Sequence, residues 1–167
     1  PGGGTLTVGS AWSNAGNIVE NGGTLNLGGT FTNAGIGTLN RTGGTVNITG
    51  TLDNTSTLLA LNASTGTWNL SNGAIKNGSI SESGGALLSV VNAGTLDGVT
   101  LNSDLSLGNV NLIVKNGLTL NNANLSLNNT VVYMQGTQTL GGTGEVLFGG
   151  TGVSNYIYAQ NASGGAT

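Results

Sequence analysis

No cysteine and no histidine occur among the 167 residues, and proline appears once, as Pro1. Without cysteine there is no disulfide, no thiolate nucleophile and no cysteine metal site. The fold must rest on packing and backbone hydrogen bonds. Cations are almost as scarce: Arg41, Lys76 and Lys115 stand against six acids, for a net charge of −3. Three cations cannot neutralise a row of phosphates and release its counterions, which excludes nucleic acid as a partner. Long apolar runs are missing too. Stretches such as Leu58-Leu59-Ala60-Leu61 fall far short of the roughly 20 residues a membrane-spanning helix needs, so no transmembrane segment is expected. The residues also carry no positively charged, apolar leader, and any targeting signal is expected outside them.

Hydrophobic types make up 37% of the chain although only 5% of residues are charged. The low charge therefore does not describe a self-repelling disordered chain, and a core can be filled. The 32 glycines need a different explanation. Self-comparison supplies it. Leu6-Thr7-Val8, Leu25-Asn26-Leu27, Val46-Asn47-Ile48, Trp68-Asn69-Leu70, Leu105-Ser106-Leu107, Leu125-Ser126-Leu127 and Val146-Leu147-Phe148 align at a period of about 20 residues. All but the last alternate apolar, polar, apolar, which is strand periodicity. Leu87-Leu88-Ser89-Val90 fits the register less cleanly.

A second alignment stacks Trp12, Phe31, Leu52, Ile75 and Leu96 as a predicted core column. A third contains Ile18, Leu39, Leu59, Ile80, Val99 or Leu101, Leu118 and Leu140. Three short strands per coil predict a triangular cross-section, and a coil of that kind hides its apolar edge only when stacked on others. The sequence thus predicts an all-β fold, a parallel β-helix or β-solenoid, with residues 1–167 as a single domain of roughly eight coils. Drifting coil lengths favour the right-handed form. The pairs Gly22-Gly23, Gly43-Gly44, Gly84-Gly85 and Gly141-Gly142 are expected at corners that need positive φ or lack room for a Cβ.

The stretches Gly22-Gly23-Thr24-Leu25-Asn26-Leu27, Gly50-Thr51-Leu52-Asp53-Asn54, Thr67-Trp68-Asn69-Leu70 and Gly94-Thr95-Leu96-Asp97-Gly98-Val99-Thr100-Leu101 resemble the repeats of large exported bacterial β-helix proteins. Those are the filamentous-haemagglutinin-like adhesins and autotransporter passenger domains. The resemblance covers nearly the whole chain and implies secretion, display at the bacterial cell surface, and adhesion or filament building. Its motifs report the scaffold and name no receptor.

Chemistry-bearing residues are few. The acids are Glu20, Asp53, Glu82, Asp97, Asp104 and Glu145. Asp53 and Asp97 occupy equivalent positions two coils apart, about 9.6 Å at the interstrand spacing, within reach of an inverting carboxylate pair. A pectin-lyase-like enzyme acting on carbohydrate is therefore one alternative. Lys76 at the intervening position relieves repulsion between solvated acids more simply, and the expectation is no enzyme, no catalytic residue, no cofactor and no metal. The glycine-rich turns mostly lack the aspartate of calcium-binding rolls. Gly141-Gly142-Thr143-Gly144 lacks the Lys-Ser or Lys-Thr pair of a phosphate loop.

Asn14, Asn33, Asn54 and Asn77 recur at one turn and are expected to hydrogen-bond to each other as a ladder along the axis. Trp12, Phe31 and Trp68 are expected in the core rather than as a sugar-stacking platform. The candidate binding face is a two-column array: Thr5, Thr24, Thr45 and Thr67 beside Thr7, Asn26, Asn47 and Asn69. Such an array resembles the threonine faces of ice-binding proteins, and equally suits a regular glycan. Expected partners are copies of the chain or flanking repeats end to end, and surface glycans or receptors on a host or neighbouring cell. Neither end looks capped. Pro1-Gly2-Gly3-Gly4-Thr5 opens into a repeat strand, Ser163-Gly164-Gly165-Ala166-Thr167 reads as the start of another coil, and Tyr156-Ile157-Tyr158 is expected to make the final coil or to pack against the next unit.

Overall fold

The structure, a computed structural model, describes residues 3–166. The chain winds in parallel coils. The first holds β1 (Thr5–Val8) and β2 (Asn17–Glu20). The second holds β3 (Thr24–Leu27), β4 (Thr30–Thr32), a 3-10 turn over Ala34–Ile36 and β5 (Thr38–Arg41). The third holds β6 (Thr45–Ile48), β7 (Thr51–Asp53) and β8 (Leu58–Leu61), and the fourth β9 (Trp68–Leu70), β10 (Ala74–Lys76) and β11 (Ser79–Glu82). In the fifth and sixth, a short strand precedes a long one: β12 (Leu88–Val90) with β13 (Ala93–Leu101), then β14 (Leu105–Gly108) with β15 (Asn111–Leu120). The seventh holds β16 (Asn124–Asn128), β17 (Val131–Gln135) and β18 (Leu140–Gly142), and the last β19 (Glu145–Gly149) and β20 (Tyr156–Gln160).

These strands stack into three faces. The first runs β1-β3-β6-β9-β12 and then β14-β16-β19. The second runs β4-β7-β10-β13-β15-β17-β20, and the third joins β2 to β5 and β8 to β11, continuing through the far halves of β13 and β15 to β18. The result is a β-solenoid of about 7 turns with about 21 residues per turn. Coil length is not constant: 18 residues separate Leu96 from its partner Val114, and 25 separate Val132 from Ile157.

Register places like upon like. On the first face Leu25 pairs with Val46, Val46 with Trp68 and Trp68 with Leu88, all buried. Leu88 and Val90 thus fall into register, and Leu87 is left outside. On the second face Phe31, Leu52, Ile75 and Leu96 form a fully buried column, with Trp12 half-buried beneath it and stacked on Phe31 at a centroid distance of 4.9 Å. On the third face both Val99 and Leu101 point inward, Leu101 against Ile80 and Val99 against Leu118. Each such side chain contributes about 1.5–3 kcal/mol by leaving water.

Corners are built in two ways. Gly22, Gly44, Gly84, Gly85 and Gly142 have positive φ, whereas Gly23, Gly43 and Gly141 do not. Other corners are turned by asparagine: Asn72, Asn77, Asn109, Asn116, Asn122 and Asn129 all lie in the left-handed region, which a short polar side chain tolerates by bonding locally. The long strands β13 and β15 pass the corner between the second and third faces without breaking, through a bulge at Gly98 (φ +67) opposite Asn116 and Gly117.

The residues after β20 do not begin another coil. The Asn161 side-chain oxygen accepts the backbone N–H groups of Ser163 and Gly165 at 2.9 and 3.0 Å, and Ala166 forms an antiparallel bridge with Gln160. An asparagine that satisfies a turn from within reverses the chain where a parallel coil would have to run on. Pro1, Gly2 and Thr167 lie outside the described residues. Among the described residues no helix is long and apolar enough to cross a membrane.

Candidate binding face

The outward middle column of the first face is a hydrogen-bonded ladder. The Asn26 amide donates to Thr7 Oγ1 at 3.1 Å, Asn47 to Asn26 Oδ1 at 2.8 Å, and Asn69 to Asn47 Oδ1 at 3.0 Å. Beside it, Thr5, Thr24 and Thr45 pair in register, and the Thr67 hydroxyl accepts the Leu87 N–H at 3.2 Å. Past this point the middle column changes to Ser89 and then to Ser106, Ser126 and Leu147. The two-column array therefore spans the first four coils. Its amides are already engaged along the axis, each later coil donating to the one before it.

The asparagine ladder lies here rather than at the corner where it was expected. Asn14, Asn33, Asn54 and Asn77 do not bond to one another. Asn14 donates to Ile36 O, Asn33 to Leu58 O and Asn54 to Ser79 O, each at 2.9–3.0 Å and each to the backbone of the following coil. Asn77 donates to Thr55 Oγ1 at 2.8 Å. The physical reason is backbone supply: at a corner the strand ladder stops, carbonyls there lack donors, and a corner amide bonds to them before it can reach its own kind. Asn54 is fully buried in this role.

The outward column of the second face alternates in charge. Asp53 pairs in register with Lys76, Lys76 with Asp97 and Asp97 with Lys115, an arrangement that favours opposite charges side by side. Asp53 accepts the hydroxyl and the N–H of Thr55 at 2.5 and 3.1 Å. These bonds, with the charge of Lys76, hold its carboxyl below the usual range. Asp97 accepts the Asn116 amide at 2.6 Å. Both carboxylates are thus occupied by neighbours on the same face. Glu82 is shifted the other way, because burial disfavours its charge, against the Leu88 N–H that it accepts at 2.6 Å, and Asp104 adds repulsion.

Two features escaped the sequence reading. Arg41, opposite Glu20 in register at the end of β5, ties together the corner that leads from the third face to the first. Its guanidinium donates to the carbonyls of Gly43 and Gly44 in its own coil and to those of Thr65 and Thr67 in the next, at 2.5–3.1 Å, and lies 3.6 Å from the buried Glu20 carboxylate. Gly44 must be glycine here, since a Cβ at its φ of +67° would overlap that carboxylate. The second feature is aromatic. Tyr133, Tyr156 and Tyr158, all three tyrosines of the chain, meet on the outward side of β17 and β20. Tyr133 pairs in register with Tyr158. Tyr156 and Tyr158 are stacked at 5.2 Å, and Tyr133 lies 6.2 Å from Tyr158. The alternation Val131-Val132-Tyr133 and Tyr156-Ile157-Tyr158 carried the signal for their outward placement. By contrast Phe31 and Trp68 are buried. No protein-family model matches the chain, and neither curated proteins nor solved structures contain a significant match.

Proposed function

We propose that the chain is a structural and adhesive β-solenoid module of a secreted bacterial surface or extracellular fibre protein, stacking end to end with further coils, either flanking repeats or copies of itself. One observation carries the stacking. The core columns run into the outermost described coils, where their terminal members Leu6, Phe148 and Ile157 are 53%, 68% and 40% exposed. Strands β1, β2 and β19 each pair on one edge with the coil next to them, and β20 carries, besides its pairing with β17, the Ala166 bridge at Gln160 alone; a free parallel edge beside exposed apolar side chains templates another coil. The secreted, surface-displayed setting rests on the resemblance of the Gly-Gly-Thr-Leu and Gly-Thr-Leu-Asp repeats. The hydrogen bonds that engage Asp53 and Asp97 on their own face support a non-catalytic role.

Sedimentation velocity over a wide concentration range, with electron microscopy of the same samples, tests this reading. End-to-end growth that a polar helix fused at one end suppresses is the expected result. A chain that stays monomeric at high concentration overturns the stacking. Cleavage of a pectin-like polymer that disappears in Asp53→Asn/Asp97→Asn would replace it with the enzyme, and thermal hysteresis lost in Thr24→Val/Thr45→Val with ice binding.

A further inference from the structure

We infer that Tyr133, Tyr156 and Tyr158 form a stacking platform for a neutral glycan on the outward side of the second face. The rings come from two neighbouring coils and are brought together by the parallel pairing of β17 with β20. Tyr156 and Tyr158 remain 43% and 47% exposed, so their stacking on each other leaves aromatic surface in water. Tyrosine combines an apolar ring with a polar tip and loses little conformational freedom on binding. That pairing of properties suits a sugar, which presents C–H groups on its ring faces and hydroxyls at its edges. A hydrogen-bonding side chain lies alongside: the exposed Asn111 sits beside Val131 on the adjoining strand.

Size and charge select the ligand class. Three rings and the neighbouring Val131 cover only part of the roughly 800 Å² per partner that a stable protein interface buries. A saccharide of a few units needs no more than this. Tyr133 and Tyr158 continue the uncharged column Thr95-Ile113, the alternating charges lie in the neighbouring column that reaches Lys115, and a chain with nine charged side chains in all offers no cation cluster for a sulfated or acidic polymer. The ligand is therefore uncharged. This names a ligand class for the adhesive part of the proposed function and rests on it, while the end-to-end stacking is independent.

Calorimetric titration of the full chain with neutral hexasaccharides of glucose, mannose, xylose and N-acetylglucosamine tests the platform. Saturable binding to at least one is expected, weakened about tenfold or more in Tyr156→Ala/Tyr158→Ala and unchanged in Thr119→Ser, an exposed position away from both the platform and the threonine-asparagine array. Thermal melts by circular dichroism establish that the double variant is folded, and Tyr158→Phe, which keeps the ring, should bind nearly as well as the parent. Absence of binding to the whole panel, or binding that the double variant leaves untouched, overturns the platform. If self-association falls in the double variant while no sugar binds, the patch is a contact between copies and the inference fails. End-to-end growth persisting without sugar binding removes the platform alone and leaves the stacked module standing.

Discussion

The early coils and the middle coils solve the corner differently. Between the second and third coils β5 and β8 share no ladder, and at the corner beyond them a single side chain, Arg41, donates to the carbonyls of Gly43, Gly44, Thr65 and Thr67. In the fifth and sixth coils no such gap exists, since β13 and β15 run through the corner as continuous bulged strands. Backbone satisfaction is thus concentrated in one charged residue in the first region and spread over two strands in the second. An interruption held by one residue is fragile to one substitution. A continuous ladder is fragile only where its bend needs a special conformation.

The core makes no such distinction, and the largest effect is expected there in both regions. Leu52→Asp in the early coils and Leu112→Asp in the middle ones each place an unpaired charge at a fully buried site and should each cost about 5 kcal/mol, measured by urea unfolding. If either were harmless, the inward register of that region would be wrong. The contrast sharpens with Arg41→Ala, which leaves the Glu20 carboxylate without its cation and removes the guanidinium donors from the carbonyls of Gly43, Gly44, Thr65 and Thr67. A loss of about 3 kcal/mol or more is expected, and hydrogen exchange should rise first in β5 and β8. Gly98→Val is the matching test of the bulge. A β-branched residue at φ +67° should cost about 1–2 kcal/mol more than Gly98→Asn, with exchange rising in β13 and β15 instead.

The smallest effect is in the acids, and its sign differs between regions. The pKa of the Asp53 carboxyl is lowered by its bonds to Thr55, so its contribution is present above the ordinary aspartate range and is lost as pH falls through its folded pKa. The pKa of the Glu82 carboxyl is raised by burial, so its contribution is present below the ordinary glutamate range and is lost as pH rises through its folded pKa. Thermal melts across the acid range should therefore show Glu82→Gln removing a decline in stability with rising pH, and Asp53→Asn removing a decline with falling pH. Slopes of the same sign in both would contradict these environments.

Much of the fold was legible because a solenoid writes its period into its sequence. The alternation in Leu25-Asn26-Leu27 and Val46-Asn47-Ile48 names the buried residues, and equal spacing names their partners. Corner chemistry was less legible. Glycine pairs announced some turns, but Asn72, Asn109 and Asn122 take the same backbone conformation without a glycine's signature. Among equivalent asparagines, periodicity alone did not distinguish Asn47, on a strand face with amides above and below, from Asn54, at a corner facing open carbonyls.

The sequence by itself determined the all-β parallel stack, the inward columns and the near absence of charge, because each follows from side-chain type and spacing along one coil. Only the tertiary structure decided which polar groups meet. Arg41 reaches carbonyls 24 and 26 residues away, and Tyr133 meets Tyr158 across 25 residues because the last coil is lengthened by a loop. Such contacts depend on where each ladder breaks and how far each coil is stretched, and those lengths are set by the fit of neighbouring coils, not by any one coil's own residues.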